Sequence, residues 1–312
     1  MTTVWTETYR PRKLDEIIGQ QHIISRLKAW VKEKTIPNML FAGPAGVGKT
    51  TTALALAREL FGDHWRDNFQ ETNASDDRGI NVVRGRIKEF ASTKPIGAGF
   101  KIVFLDESDA LTSEAQQALR RTIEKHAGVC RFILSCNYSN RIIEPIQSRT
   151  AVFRFKRLDQ KDVETYLQRI VAGEKLKAAK EGLQAIINVT EGDLRKATNL
   201  LQAAAAVGSV DKSTVLDVAA RAEPEDVKKM MELARDGKFT EARKRLHDLL
   251  IVQGFSGEDI VKEVHRSLLT ITCPEEKRLD LLAVLGETEF RLTQGSSPDI
   301  QLEAFLAQMG KK

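Results

Sequence analysis

Cysteine and long apolar runs are scarce in this sequence, and each scarcity excludes a class of protein. The three cysteines, Cys130, Cys136 and Cys273, lack the paired spacing of a disulfide framework or a zinc site. We therefore expect thiols in a reducing interior, with no disulfide and no zinc. No apolar run approaches the roughly 20 residues that cross a bilayer, so we expect no membrane partner. The first residues lack the basic and apolar stretches of a secretory signal, so we expect an intracellular protein, cytoplasmic or, in a eukaryote, nuclear.

Aromatic residues are also few, at 6% of the chain, whereas the apolar and charged fractions of 42% and 29% are those of an ordinary globular protein. The net charge of +5 is informative only where basic residues cluster. A length of 312 residues is too great for one small core and indicates two or three domains.

The most informative stretch is a glycine-rich segment between a predicted strand and a predicted helix. Its residues match the pattern G-x-x-x-x-G-K-[ST] without a mismatch: Gly43, Pro44, Ala45, Gly46, Val47, Gly48, Lys49 and Thr50. Residues 39–42 are strand-like, and apolar residues at helical spacing follow from Thr51. Glycines allow backbone N–H groups to surround an anion where the helix begins. This context predicts a nucleotide site, with Lys49 on the β- and γ-phosphates and Thr50 on Mg²⁺.

A second strand-like run, residues 101–105, is followed by two carboxylates, Asp106 and Glu107. Ligands gather at the carboxyl ends of strands in an open parallel sheet. Asp106 could therefore hold Mg²⁺, and Glu107 could accept a proton from an attacking water. An acidic surface loop is the alternative, but the phosphate loop earlier in the chain favours the catalytic interpretation. A glutamate directly after the aspartate favours ATP hydrolysis over phosphoryl transfer to a small molecule.

Three further polar residues each have two interpretations from spacing alone. Asn137 ends another strand-like run, where it either orients the lytic water or forms a turn. Arg149 either reaches the nucleotide of a neighbouring subunit or forms a surface salt bridge. Arg195 begins a helix, from which it either contacts the γ-phosphate or faces solvent.

A basic helix is predicted after residue 79. Apolar residues recur there at helical spacing: Ile80, Val83, Ile87 and Phe90. Arg84 and Lys88 flank this apolar face and either track DNA phosphates or form a solvated surface. Gly85 lies between them, at a cost to helix stability of about 1 kcal/mol relative to alanine.

Strand-like and helical segments alternate up to residue 158, which predicts an α/β fold with a parallel, three-layer sheet. Only helical patterns follow. We therefore predict an ATPase domain in residues 1–158, a small helical lid domain in 159–222 and an all-helical domain in 223–312, with a hinge at residues 222–224.

The chain resembles the AAA+ P-loop ATPases and, more narrowly, the small subunits of replication factor C, the clamp loader of archaea and eukaryotes. The resemblance is dense from residue 5 to about 205 and thins in the C-terminal third. The segments that carry it are residues 9–11, 18–20, 43–50, 73–80, 104–107, 115–121, 135–137, 143–149 and 192–197.

The resemblance implies a role for each matching residue. It implies that Lys49 and Thr50 bind phosphates and Mg²⁺, and that Asp106 and Glu107 are metal ligand and catalytic base. It makes Asn137 and Arg195 the sensors of the γ-phosphate, and Arg149 a residue that completes the adjacent subunit's site. The segment from Val4 to Pro11 and Ile18 would border the adenine, and the expected binding residues there are Val4, Tyr9, Arg10, Pro11 and Ile18. The resemblance also places Arg84 and Lys88 on template phosphates.

The implied function is ATP-dependent loading of a sliding clamp onto primer–template DNA during replication. The implied partners are a large subunit and other small subunits, in a hetero-pentamer, together with the clamp and the DNA; the C-terminal helices would form the collar of that assembly. One departure is Thr150, which stands where the family usually has cysteine. Its similar small polar side chain leads us to expect that the function of Arg149 survives.

Three other functions fit parts of the sequence. An AAA+ helicase or branch-migration motor would need a DNA-binding module after residue 223, and none is evident. A non-hydrolysing structural subunit is disfavoured by the intact set of Lys49, Glu107 and Arg149. A P-loop kinase for small molecules is disfavoured by the paired carboxylates and by the all-helical half of the chain.

Overall fold

A computed structural model describes residues 4–75, 83–219 and 224–310. The chain divides into two compact units, Met1–Asp211 and Lys212–Lys312. The predicted ATPase and lid domains lie almost entirely within the first unit, so the division into three domains stays a prediction. Most of the predicted hinge, residues 222–223, lies outside the described residues.

A five-stranded sheet forms the centre of the first unit. Its strands are β1 (Met39–Ala42), β2 (Phe69–Asn73), β3 (Lys101–Asp106), β4 (Cys130–Cys136) and β5 (Ala151–Arg154). The strand order is β2-β3-β4-β1-β5, and every pairing is parallel. This confirms the predicted parallel α/β sheet. Because the strands run in one direction, the segments after β1, β3 and β4 leave the sheet at the same edge.

Helices of the first unit pack around this sheet and extend beyond it. They are α1 (Trp5–Thr8), α2 (Gln21–Glu33), α3 (Lys49–Phe61), α4 (Trp65–Asn68), α5 (Lys88–Ser92), α6 (Ser113–Lys125), α7 (Glu144–Gln147), α8 (Gln160–Gly173), α9 (Lys180–Thr190) and α10 (Leu194–Val207). Short 3-10 turns occur at Leu14–Glu16, Gly62–His64, Ser108–Ala110 and Ser139–Arg141.

Both faces of the sheet are buried, which explains why its strands have continuous apolar sequences rather than alternating ones. On one face, Val103 and Leu134 share a core with Leu119 of α6. On the other face, Phe41 meets the ring of Phe153 edge-on, with centroids 5.7 Å apart.

Two local predictions differ from the structure. The basic segment is not one regular helix: a π-turn at Val83–Ile87 precedes α5, and Gly85 has non-helical backbone angles (φ −87°, ψ −106°). Glycine tolerates this kink because it has no Cβ. The spacing from Ser113 to Gln116 is that of a capping box and predicts that Ser113 caps helix α6. The cap is instead Thr112, whose hydroxyl accepts a hydrogen bond from the Ala115 N–H, and Ser113 is the first helical residue.

The second unit is helical throughout its described residues. It contains α11 (Lys212–Val218), α12 (Pro224–Arg235), α13 (Phe239–His247), a π-turn (Asp248–Val252), α14 (Gly257–Thr270), α15 (Glu275–Thr293) and α16 (Pro298–Met309). One core joins these helices from α12 onwards, with Met231, Val264, Leu285 and Phe305 among its buried members. In neither unit does a described helix combine the length and apolar character that crossing a membrane requires.

Candidate nucleotide-binding site

A cleft of about 1000 Å³, including its open mouth, lies at the edge where the strands end. Three parts of the first unit line it: the N-terminal segment, the ends of β1, β3 and β4, and the helices α8 and α10. The lining residues are Thr6, Arg10, Pro11, Ile17, Ile18, Ala45, Gly46, Val47, Gly48, Lys49, Thr50, Thr51, Asp106, Glu107, Asn137, Tyr166, Leu194, Arg195 and Thr198. The topology therefore brings together residues that are far apart in sequence.

The phosphate loop is anchored to the sheet where it leaves β1. The Gly43 N–H donates to the carbonyl of Cys136 at the end of β4, at 3.1 Å. A Cβ on Gly43 would overlap the carbonyl oxygen of Phe155, which follows β5. Only glycine allows this close approach, so the loop begins at a position set by its two neighbouring strands.

The Lys49 side chain is buried within the loop, and its residue is 8% exposed. Its Nζ donates to the carbonyls of Gly43 and Pro44 at 2.6 and 2.7 Å, and to Asn137 Oδ1 at 3.1 Å. Burial lowers the pKa of Lys49, while the nearby Asp106 carboxylate opposes that shift. The lysine is thus a partly desolvated cation at the end of β1, where attraction to phosphate is stronger than in water.

Thr50 and Asp106 form a pair of oxygen donors beside the loop. Thr50 Oγ1 donates to Asp106 Oδ2 at 2.6 Å, and Asp106 Oδ1 accepts from the Glu107 N–H at 3.0 Å. Hydroxyl and carboxylate oxygens are the hard donors that Mg²⁺ prefers. These two residues therefore fit the magnesium site that the sequence predicts.

Glu107 lies at the cleft in an exposed turn directly after β3, with the left-handed backbone angle φ 51°. That conformation is unfavourable for a residue with a Cβ. The 3-10 turn that follows stabilises it, because the Glu107 carbonyl accepts from the Ala110 N–H at 2.8 Å. Strain of this kind is common where a catalytic side chain must face a ligand.

Asn137 contacts the loop lysine through its side-chain amide, and its own N–H donates to Asp109 Oδ2 at 3.2 Å. The same carboxylate oxygen accepts from the Tyr138 N–H at 3.1 Å. This backbone anchoring directs the Asn137 amide into the cleft, which supports the site interpretation over that of a simple turn residue.

The lid contacts the phosphate loop directly. Helix α10 begins at Leu194, whose N–H donates to the carbonyl of Gly46 at 3.0 Å. Arg195, the next residue, lines the cleft. The guanidinium group therefore belongs to the predicted lid, while the groups that it would accompany belong to the predicted ATPase domain.

The cleft lining also includes nonpolar residues of the N-terminal segment. The expected Pro11 and Ile18 are among them, together with the expected, charged Arg10. Tyr166 of α8 also lines the cleft, and burial raises the pKa of its hydroxyl. This composition suits a planar base better than a phosphate.

Four residues predicted to bind the nucleotide lie outside the cleft lining. Val4 is exposed to solvent, and Tyr9 Oη donates to Glu174 Oε1 of the lid at 2.7 Å. Gly43 and Pro44 direct their carbonyls to Lys49. Gly43 and Pro44 therefore hold the Lys49 side chain in place.

Thr6 lies in the segment that the resemblance places beside the adenine. Four other lining residues were missed by the sequence analysis: Ile17, Tyr166, Leu194 and Thr198. Leu194 and Thr198 are in the same helix as Arg195, and helical spacing from Arg195 could have indicated Thr198. For Tyr166 the sequence has no comparable signal, because its role depends on how α8 packs.

Arg149 is not among the residues that line this cleft. It follows α7 and precedes β5, whose first residue, Ala151, pairs with Met39, the first residue of β1. It therefore lies towards the amino ends of these strands, whereas the phosphate loop leaves their carboxyl ends. Its side chain is 39% exposed, and its Nε contacts Glu124 Oε1 at 2.8 Å.

Glu124 also contacts Arg120, with the Nε of Arg120 at 3.1 Å from the same oxygen. Hydrogen bonding from Arg120, with the charges of both arginines, lowers the pKa of Glu124. Such exposed pairs contribute little to stability and exchange readily with solvent. The salt-bridge interpretation of Arg149 is thus correct for the single chain, and its role in a neighbouring subunit stays a prediction.

The two predicted DNA-binding residues lie outside the cleft. Lys88 is exposed at the first position of α5. Arg84 falls within the π-turn, and its side chain lies outside the described residues.

Comparisons with known proteins identify both parts of the chain. The family model described as ATPase family associated with various cellular activities (AAA) matches residues 39–158. The model described as Replication factor C C-terminal domain matches residues 222–308.

Curated relatives match nearly the whole chain. A protein named Replication factor C small subunit from Methanococcus vannielii is 51% identical and is covered over 99% of both chains. One of the same name from Archaeoglobus fulgidus is 53% identical over 98% of this chain and 97% of its own.

Solved structures of RuvB from Thermotoga maritima resemble this chain in fold. The Holliday junction branch migration motor is 18% identical, covers 82% of this chain and 91% of its own, and superposes with a TM-score of 0.57. A single-residue variant of the same RuvB is 20% identical with a TM-score of 0.56, over 84% of this chain and 91% of its own. At this identity the likeness concerns the fold alone.

Proposed function

The chain belongs to the replication factor C small-subunit family of AAA+ ATPases, the family of clamp-loader subunits, and from this membership we propose how it uses ATP. ATP binds in the cleft at the edge of the sheet, and its hydrolysis is stimulated by the sliding clamp and by primer–template DNA. The ATP-bound assembly opens the clamp, and hydrolysis on DNA releases it.

One observation carries this proposal: the groups for binding and hydrolysis converge in the cleft, but Arg149 lies elsewhere in the same chain. A guanidinium that neutralises charge in the transition state raises hydrolysis rates by about 10³ or more. If Arg149 supplies this group to an adjacent subunit, turnover depends on correct assembly. The single chain would then bind ATP and hydrolyse it poorly.

Each cleft residue has a task that follows from its position. Lys49 attracts the β- and γ-phosphates, and Arg195 approaches the γ-phosphate from the lid. Mg²⁺, held by Thr50 and Asp106, would neutralise phosphate charge. Glu107 accepts the proton of the attacking water, which the Asn137 amide orients.

The remaining surfaces serve assembly and DNA binding. We propose that the all-helical second unit forms the collar that joins this chain to a large subunit and other small subunits, in a complex of five. Arg84 and Lys88 follow template phosphates. Because the primer–template DNA of replication is its partner, the protein would act inside the cell.

The proposal is tested by mixing the chain with the large subunit, the clamp and primed DNA and measuring ATP hydrolysis. We expect the clamp and primed DNA together to raise turnover well above that of the chain alone. Glu107→Gln, with ATP binding retained, measures the background. An ATP hydrolysis rate that does not change when clamp and DNA are added would overturn the proposal. ATP-driven strand separation by a ring of this chain alone would also overturn it, because that activity would indicate a branch-migration motor.

A further inference from the structure

Asp193 is a buried carboxylate between the lid and the phosphate loop, with no role in the chemistry described above. Its residue is 6% exposed. It is the N-cap of α10, and its Oδ1 accepts a hydrogen bond from the Lys196 N–H at 3.0 Å. A carboxylate at the start of a helix also interacts favourably with the positive end of the helix dipole.

The same carboxylate lies directly over the phosphate loop. Gly46 has the left-handed angle φ 72°, and a Cβ added there would overlap Asp193 Oδ1. Two residues of the lid therefore meet one residue of the loop. Asp193 packs against the Cα of Gly46, and Leu194 donates its N–H to the Gly46 carbonyl at 3.0 Å.

These contacts determine where Arg195 lies. Arg195 is in the first turn of α10, two residues after the cap, and it is exposed towards the cleft. A side chain in the first turn moves with the start of its helix. If the cap is lost, the first turn frays and the guanidinium is no longer held beside the loop.

We propose that Asp193 is a positioning residue that fastens the lid to the phosphate loop and thereby places Arg195 at the γ-phosphate. The proposal rests on the role of Arg195 given under Proposed function. It predicts a specific defect: loss of Asp193 weakens binding of a triphosphate more than binding of a diphosphate, because only the triphosphate has the group that Arg195 contacts.

A simple capping role would give a different result, and the chain contains a matched control for it. Asp159 is the N-cap of α8 in the same lid, and its Oδ1 accepts from the Asp162 N–H at 2.8 Å. Asp159 is exposed and does not line the cleft. Asp159→Ala therefore measures what loss of a lid cap does by itself.

The experiment compares the affinity of the full-length chain for ATPγS and for ADP by equilibrium titration. We expect Asp193→Ala to lower the affinity for ATPγS about fivefold more than that for ADP, the ratio that one lost N-cap corresponds to. Asp193→Asn keeps both the acceptor and the shape and should retain the preference. The double variant Asp193→Ala/Arg195→Ala should be no worse than Arg195→Ala, since both changes remove the same contact.

Four results would overturn the proposal. If Asp193→Ala lowers both affinities equally, or if Asp159→Ala reproduces its effect, the residue is only a cap. If the effects of Asp193→Ala and Arg195→Ala add fully, the two residues act independently. If Arg195→Ala itself leaves the preference unchanged, the γ-phosphate role under Proposed function fails first, and the positioning role fails with it.

Discussion

The phosphate loop and the Arg149 turn belong to the same unit, yet they are built in opposite ways. The loop is partly buried, and its buried lysine has three hydrogen-bond acceptors within the chain. Arg149 is partly exposed, and its ionic partner is a surface carboxylate that it shares with Arg120. One region is organised by its own chain, whereas the other is accessible to a second molecule.

This difference separates binding from turnover. Groups held by several internal contacts keep their geometry whether or not the chain is assembled, so nucleotide binding should be a property of the single chain. The Arg149 guanidinium also has contacts within its chain, to Glu124 and to the Pro145 carbonyl, but they are exposed. Exposed contacts are exchanged for a new partner at lower cost than buried ones. Hydrolysis can therefore be made to depend on an adjacent subunit without any change in the cleft.

The largest expected effect comes from the buried region. Lys49→Ala should lower kcat/KM of the assembly by about 10⁴, because it weakens ATP binding and also removes a cation from the transition state. Titration of the single chain with ATP should show the binding loss without any partner. Lys101→Ala is the matched control, since Lys101 is also buried but donates to Thr93 Oγ1 outside the cleft. Equal binding losses in the two variants would mean that burial, and not phosphate contact, explains the effect.

Arg149→Ala should show the opposite pattern. We expect kcat of the assembly to fall about 10³-fold, the contribution of a guanidinium supplied in trans, while the single chain binds ATP normally. Arg120→Ala removes the other partner of Glu124 and should leave kcat nearly unchanged. If Arg149→Ala greatly lowers the affinity of the single chain for ATP, Arg149 acts within its own subunit, and the proposed separation of ATP binding from hydrolysis is wrong.

Glu107→Gln tests whether ATP binding and ATP hydrolysis depend on different residues inside the cleft. We expect kcat to fall about 10²-fold through loss of the general base, with ATP affinity preserved in the single chain. Glu114→Gln, at an exposed position of α6, is the control. Unchanged hydrolysis in Glu107→Gln would exclude this residue as the base.

The smallest expected effect concerns DNA. Reversing both Arg84 and Lys88 to Glu should reduce DNA stimulation of hydrolysis about tenfold, and the difference should shrink as salt is raised. The control reverses Lys177 and Lys180, two exposed lysines of the lid. If DNA stimulation is the same in both double variants, the kinked basic segment does not track the template.

The sequence predicted best those residues whose function depends on local backbone structure. The glycine pattern of residues 43–50 and the apolar run before Asp106 each specify a strand end, and the parallel topology then brings these ends together. The remote part of the cleft was predicted less well. Tyr166 of α8 lines the cleft, whereas the Tyr9 hydroxyl donates a hydrogen bond to Glu174 and Tyr9 does not line the cleft. Neither position can be predicted from the spacing of residues in the sequence.

Two errors of detail have a common origin. The cap of α6 is one residue earlier than predicted because Thr112 and Ser113 are both good caps, and the residue with extended backbone angles takes the position. The segment around Gly85, predicted as a regular helix, is kinked there by non-helical backbone angles. In both places the spacing of side chains does not distinguish between neighbouring local conformations.

The pairing of Ala151 with Met39 has a consequence for symmetry. Arg149 and the phosphate loop lie towards opposite ends of β1, whose four residues span about 13 Å. Two copies related by a two-fold axis would bury identical surface patches against each other. A cleft completed by a neighbour's Arg149 requires contact between two different patches, so the copies must be arranged head to tail. A head-to-tail assembly has a fixed number of subunits only if it closes into a ring. In an open assembly, one terminal subunit has a cleft that no neighbouring arginine completes, and the other has an Arg149 that reaches no cleft. The two ends of an open assembly are therefore chemically different.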